Sequence, residues 1–361
     1  MKQYHVLLNT LTYHKAQAYL KALQAGKCAG RYVREQLRQK NLAHMTVEAF
    51  LEVLMRTKRP VIFAESAVVG DGSDWTHEEL SILGDVGIAT PVTVYDDGKH
   101  HQPKIHPSPF SATLLFLPGA LLRSGSDQPP ADWAEIVDHE MLNSEAYQAL
   151  YHRRLYPLFM YANTVMKQRG TYAFITIPGL GCGQFAGRFQ GQLGEELKQA
   201  LVTFLQQYGR EFSHIRGVYY DPYRECKNER YMLHHITFLV RPLLQGNTQK
   251  PQLCAPYHYA EDGDRFAECE LFSVVAWDHV SWPGNDFYGG ARATDDGVKA
   301  AATNSMTVIT GVNGQYNARH AAYHPPVAYR NWEEVVRKQH IQLDIQENLS
   351  VFSMSPNTES G

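Results

Sequence analysis

TYAFITIPGLGCGQFAGRFQGQLGEELKQALVTFLQQYG, residues 171–209, is the stretch on which the reading of the chain turns. Tyr172 to Ile177 are mostly aromatic and β-branched, which suits a strand. Leu193, Leu197, Leu201 and Leu205 recur every four residues, which suits one buried face of a helix. Between them, residues 179–187 hold four glycines in nine positions. Such a strand, loop and helix form the unit of an α/β sheet. Glycines let the backbone approach a ligand closely, and amides at a helix start favour an anion, so the loop is built like a diphosphate cradle. The plainer reading is a tight turn, because a lone glycine-rich turn is weak evidence. The loop lacks the lysine of GxxxxGK[ST] and the GxGxxG spacing with a distal acid, which argues against a P-loop nucleotidase and an NAD-binding fold.

A second stretch follows about a hundred residues later, LFSVVAWDHVSWPGNDFYGGARATDDGVKAAATNSM, residues 271–306. The apolar run Leu271 to Ala276 predicts a strand. The loop behind it carries Asp278, Asn285, Asp286, Asp295 and Asp296 among four glycines, and an alanine-rich helix comes next. Asp, Asn, Gly and Pro also make ordinary turns. However, four aspartates beside Trp277, Trp282, Phe287 and Tyr288 are costly if enclosed, unless a cation or sugar hydroxyls satisfy them. Carboxylates suit glycosidic chemistry, where they stabilise an oxocarbenium-like transition state, activate water and anchor ribose hydroxyls.

Outward from these two loops, residues 14–57 predict two or three helices broken near Gly26 and Asn41. Pro60–Ser66 reads as a short strand, and Ser73 or Asp74 as the cap of a following helix. Strands are expected at Pro91–Tyr95, Ala112–Leu117, Ile215–Tyr220, His234–Val240 and Met306–Thr310. Two helices should run through Lys167 to a stop at Gly170. DPYRECKNERYML, residues 221–233, reads as a helical turn, residues 242–265 as a surface loop, and Asn331–His340 as a short helix. The division expected is a helical region over residues 1–58, a catalytic core over 59–345 and a disordered tail over 346–361.

With 361 residues, 44% hydrophobic, 20% charged and a net charge of −3, the chain is globular and offers no electrostatic case for nucleic acid. Cys28, Cys182, Cys226, Cys254 and Cys269 have neither C-x-x-C pairing nor zinc-site spacing, so they are expected as reduced thiols and no metal ligands are assigned. The apolar run Ala112 to Leu122 is too short to span a bilayer and the N-terminal one too short for a signal peptide, so a soluble protein without a membrane partner is expected. A helix start at Cys182 can lower a thiol pKa, but a small packing residue is the better reading. His100, His101, His234 and His235 read as surface or sheet residues. Ser66 lacks the GxSxG setting of a serine hydrolase.

PGLGCGQFAG after a strand, combined with AWDHVSWPGNDFYGGARATDDGVKAAATNSM, resembles the macrodomains. The resemblance extends to the poly(ADP-ribose) glycohydrolase branch and to macrodomain-like effectors that remove ADP-ribose from arginine on ubiquitin, and is strongest over residues 171–310. It implies an α/β/α sandwich with a mixed central sheet and added N-terminal helices. It further implies an ADP-ribosyl hydrolase, with an ADP-ribosylated protein such as ubiquitin as partner. Catalysis would fall to Asp278, Asp286 and Asp296. Gly179, Gly181, Cys182, Gly183, Gln184, Phe185, Ala186 and Gly187 would bind the ligand with Asn285 and Asp295, Phe185 lying close to the distal ribose. No cofactor is expected, although clustered aspartates can hold Mg²⁺. An effector would act in the host cytosol; otherwise a cytoplasmic address is expected. Two departures stand out. The usual NAAN string and the GGG…QEE signature are absent, and the acidic loop follows the phosphate loop, a permuted order. The alternative from another class is a non-catalytic ADP-ribose reader.

Overall fold

The computed structural model describes residues 3–61, 73–123, 129–345 and 347–354. Nine strands form one sheet: β1 (His5–Asn9), β2 (Gly87–Asp96), β3 (Ile105–Pro118), β4 (Tyr172–Pro178), β5 (Ile215–Asp221), β6 (Glu229–Leu233), β7 (Ile236–Val240), β8 (Cys269–Trp277) and β9 (Leu349–Phe352). Across the sheet the order is β9-β1-β2-β3-β8-β4-β5-β7-β6. The five strands β3, β8, β4, β5 and β7 run parallel, while β2 and β6 are antiparallel to their neighbours.

Helices cover both faces. One face is packed by α5 (Ser144–Arg169) and α6 (Leu193–Tyr208), which bury Leu150, Phe159, Leu197 and Phe204 against Leu115, Ile175 and Val274. The other face is packed by α1 (Thr10–Gln24), α2 (Arg31–Leu37), α3 (Val47–Thr57), α4 (His77–Gly84), α7 (Asp295–Ala302), α8 (Ser305–Thr310) and α9 (Trp332–Lys338), over Leu114, Phe116, Phe174 and Val275. Successive sheet residues therefore feed opposite cores, the period-2 signature of a strand buried on both sides. The result is the macrodomain-like sandwich that the resemblance implies.

Several local expectations are corrected. His5–Asn9 precedes the helices of residues 1–58 and enters the sheet between β2 and β9, so this region is not purely helical. Leu349–Phe352, placed in a disordered tail, pairs with it in parallel. Residues 229–233 form an antiparallel hairpin strand with β7 rather than a helical turn, since Glu229–Leu233 can pair along its open edge. Ser305–Thr310 is a helix instead of a strand; Asn304 is pinned to β2 through Thr93, and Gly311 ends the turn. The helix starting at His77 is capped by Thr76 in a reciprocal box with Glu79, not by Ser73 or Asp74. The two helices expected before Gly170 are both present, but unequal: a short one at Trp133–Ile136 and the continuous 26-residue α5 with Pro157 inside it. The strand proposed at Pro60–Ser66 falls mainly on residues outside those described, as does Ser66.

Candidate active site

Strands β3 and β4 end in the same way, at Pro118-Gly119 and Pro178-Gly179, and β8 lies between them in register, Trp277 beside Pro118 and Ser273 beside Thr176. Proline ends each ladder because it has no N–H to donate. Three loops thus leave adjacent carboxyl ends of parallel strands, the place where α/β sheets bind ligands. The two loops singled out in the sequence become neighbours although residues 179–187 and 278–296 are far apart in the chain.

The glycine loop folds on itself through Leu180 N–H to Pro178 O (2.8 Å), Cys182 N–H to Gly179 O (3.1 Å) and Ala186 N–H to Gly183 O (3.1 Å). Gly181 has φ +71°, and a Cβ on Gly119 would lie 2.2 Å from its nitrogen, so the loop after β3 and the glycine loop touch backbone to backbone. Tyr151 on α5 fastens the pair, accepting from Ala120 N–H (3.0 Å) and donating to Leu180 O (2.7 Å). Leu122 N–H then donates to Phe185 O (2.8 Å). Gly183 and Gln184 are exposed at the rim, Phe185 and Gly187 are half-buried, and Cys182 and Ala186 are buried. Burial raises the Cys182 thiol pKa, contrary to the lowering that a helix start would give. The long helix α6 begins only at Leu193, and its Gly194 N–H is already taken by Glu225 (2.8 Å). An anion seat therefore falls to the loop, not to that helix end.

The four aspartates gather around Asp296, whose carboxyl feels the charges of the other three. Asp278 receives Val280 N–H (2.9 Å) and Ser281 N–H (3.3 Å) on Oδ1, while Oδ2, among the described residues, meets the Asn285 amide at 3.4 Å. Asp286 is more fully engaged, by Ala293 N–H (2.8 Å), Thr294 N–H (3.3 Å) and Thr294 Oγ1 (2.5 Å), which fix the start of α7. Asp295 accepts Ala276 N–H (2.9 Å) and pairs with Lys299 (3.1 Å), tying α7 to β8. Asp296 is fully buried; its Oδ1 takes Gly284 N–H (2.8 Å) and its Oδ2 has no partner among the described residues. Burial, with the neighbouring Asp286, Asp295 and Asp278 charges, pushes its pKa well up against the Gly284 bond.

Seven of the thirteen buried side-chain polar atoms without a protein partner among the described residues lie in this one region: Trp277 Nε1, His279 Nδ1, Ser281 Oγ, Asn285 Oδ1, Tyr288 OH, Asp296 Oδ2 and Ser305 Oγ. Native interiors leave few such atoms, and a cluster of them calls for a specific account.

Three groups essential to this geometry carry no sequence signal. Lys58, just after α3, donates from Nζ to His279 O (2.5 Å), sits 4.0 Å over the Trp277 ring and is opposite in charge to Asp278. Burial pushes its ammonium pKa down to about 7, against the pull of Asp278. Arg59 then adds a backbone bridge to the acidic loop, through Arg59 N–H to Val280 O (2.9 Å) and Trp282 N–H to Arg59 O (2.7 Å). His279 and Asp132 form a buried pair at 3.3 Å, and Asp132 also takes Arg154 Nη2 at 2.7 Å. Burial alone would raise the Asp132 carboxyl pKa, but Arg154 and His279 hold it below the usual range. Lys58 and Asp132 are too distant in sequence from Asp278 for any motif to join them.

All five cysteines are free. Among the described residues no group of three or more His, Cys, Asp or Glu side chains is arranged to hold a metal ion, and no helix is long and apolar enough to cross a membrane. His234 and His235 bond to the Gln206 and Phe212 carbonyls.

A glycine cradle and a carboxylate cluster on adjacent parallel strand ends of an α/β/α sandwich define a macrodomain-like protein. The chain belongs to the family described as macrodomain effector MavL, which matches residues 4–329. Membership gives it an ADP-ribose-related macrodomain function within an effector family. No curated protein matches the chain.

Proposed function

We propose that the protein hydrolyses the N-glycosidic bond between C1″ of ADP-ribose and an arginine guanidinium on a protein, with ubiquitin as the substrate. The observation that carries this reading is the run of buried polar atoms without a partner among the described residues that falls in residues 277–305, Asp296 Oδ2 among them, on a strand end next to that of the glycine loop, where a ribose can satisfy groups left open. The loop 179–187 holds the diphosphate. Asp296 Oδ2, without a protein partner among the described residues, and Asp278 Oδ2, with a 3.4 Å contact to the Asn285 amide, serve the distal ribose and the attacking water. Asp286 contributes by fixing the start of α7, next to Asp296.

Water attacks C1″ as its bond to the guanidinium nitrogen breaks; that electron pair stays on nitrogen, which ends protonated as free arginine. Positive charge growing at C1″ is stabilised by the carboxylates. A carboxylate-rich mouth pairs with a cationic guanidinium and disfavours an ester-linked glutamate. The chemistry needs no metal, and activity unaffected by EDTA is expected. As an effector the protein acts in the host cytosol.

Incubation with arginine-ADP-ribosylated ubiquitin and with a glutamate-linked control, followed by mass measurement of both, tests the reading. Loss of one ADP-ribose from the arginine-linked protein alone is expected. Asp278→Asn and Asp296→Asn should each lower the rate on the order of 100–1000-fold, the cost of one preorganised electrostatic contact. Binding of ADP-ribose without release from either protein would make it a reader. Full activity of the Asp278, Asp286 and Asp296 variants would overturn the assignment of the site.

A further inference from the structure

We infer that Asp132 and His279 are a positioning pair that sets the acidic loop against the glycine cradle, an inference that rests on the hydrolase reading. The pair joins all three strand-end loops. Asp132 Oδ2 accepts Leu121 N–H (2.7 Å) from the loop after β3 and faces His279 Nε2 (3.3 Å) in the loop after β8. The His279 ring lies 6.1 Å, centroid to centroid, from Phe185 of the cradle, whose carbonyl in turn holds Leu122 N–H. Contacts therefore run in a closed circuit through Leu122, Leu121, Asp132, His279 and Phe185.

The circuit is anchored from behind by charge. Arg154 on α5 bonds Asp132 Oδ1 (2.7 Å) and, through Nε, Asp85 Oδ1 (2.9 Å), while Arg153 grips Asp85 Oδ2 (2.7 Å). Asp132, Arg154 and His279 side chains are all essentially fully buried, so this chain of bonds has no solvent to exchange with. Because Asp132 is held as a carboxylate between Arg154 and His279, it accepts, and Nε2 of His279 is the nitrogen that carries the proton. The carbonyl of the same residue is fixed by Lys58 (2.5 Å). Ring and backbone of the residue adjoining Asp278 are thus both clamped, which leaves the Asp278 carboxylate little freedom to turn.

A Cβ on Gly84 would lie 2.5 Å from His279 Nε2 and 2.6 Å from Cδ2, so that edge of the ring is packed against α4. Nδ1, opposite that edge, has no partner among the described residues. Two roles can be separated: positioning through Nε2, which we assign, and direct action through Nδ1.

Glutamine and asparagine distinguish them. His279→Gln places an amide N–H near the position of Nε2 and keeps the bond to Asp132; His279→Asn places one near Nδ1 and falls short of Asp132. Each variant, with His279→Leu, is compared with the parent for kcat on arginine-ADP-ribosylated ubiquitin, for the Kd of ADP-ribose and for Tm. Expected are a kcat for His279→Gln close to the parent, and falls of roughly 10- to 100-fold for His279→Asn and His279→Leu, the scale on which displacement of reacting groups by about 1 Å acts. The Kd should change far less, since the diphosphate seat lies in the cradle. A Gln variant as slow as the Leu variant would overturn the inference in favour of Nδ1. So would three variants with lowered Tm and parental kcat, which is a purely structural role. The parental rate in the same assay reports separately on the hydrolase reading; absence of parental turnover overturns both.

Discussion

Gly297 offers a sharp test of how the acidic loop is built, because two effects of opposite sign meet there. It lies in the first turn of α7, where replacing glycine by alanine ordinarily stabilises a helix by about 1 kcal/mol. Here the added Cβ would stand 1.9 Å from Asp286 Oδ1, 2.6 Å from Cγ and 2.8 Å from Oδ2. Real Cβ atoms essentially never come closer than 3.0 Å, so the carboxylate must retreat by at least 1.1 Å. Its bonds to Ala293 N–H at 2.8 Å and Thr294 N–H at 3.3 Å do not survive such a shift. Bonds to a charged acceptor are worth about 1.5–3 kcal/mol each, so losing even two outweighs the helix gain and leaves a net loss of roughly 3 kcal/mol. With an unfolding entropy of about 2.1 cal/mol/K per residue over 361 residues, Gly297→Ala should lower Tm by about 4 °C. Calorimetry on the single variant and on Gly297→Ala in an Asp286→Ala background checks the cause, since removal of the carboxylate should abolish most of the cost. A Gly297→Ala protein with unchanged or raised Tm refutes the close packing of Asp286 on α7.

Two predictions concern pH. Lys58 has a folded pKa of about 7 against 10.5 in the free side chain, so between those values the unfolded chain binds the extra proton and stability rises with pH. Relative to Lys58→Met, the parent should therefore gain Tm from pH 7 to 10; parallel curves would dismiss the buried ammonium. Asp296 is shifted the other way, above 3.8, so the folded chain holds the extra proton and the parent loses stability as pH rises past that value. Asp296→Asn should consequently match the parent near pH 4 and exceed it at pH 7 while turnover is lost; a variant destabilised equally at both pH values would show that Asp296 is not strained by its burial.

What could be read from the sequence was what is local. Tyr172–Pro178, the glycine loop and the leucines of α6 announce strand, turn and helix within forty residues, and the aspartates of residues 278–296 announce themselves by composition. Short elements misled where tertiary pairing overrides propensity: Met306–Thr310 is β-branched yet helical, and Glu229–Leu233 is polar yet completes the sheet edge. The strands His5–Asn9 and Leu349–Phe352 could not be inferred singly, because each is short and is defined by the other, far away in the chain. Within the site, the cluster of carboxylates was visible but its internal wiring was not. Asp286 spends both oxygens, and Asp295 its Oδ2, on N–H groups, a hydroxyl and an ammonium inside the fold, and Lys58, Asp132 and His279 enter through contacts that no spacing rule encodes.

The insertion of β8 between β3 and β4 bears on how the molecule comes to exist. Strand β4 is complete at residue 178 and β3 at residue 118, yet they never pair with each other; each waits for a partner that begins at residue 269. Until then both present unpaired, apolar edges, the condition under which nascent sheets pair wrongly or aggregate. Pro118 and Pro178 forbid ladder growth past the strand ends and so limit such mispairing. The cradle, the carboxylates and the Asp132 joint meet only when this middle strand slots in, so assembly of the site coincides with closure of these two long-range pairings. A chain stopped before residue 269 would carry the glycine loop and lack any site for it to serve.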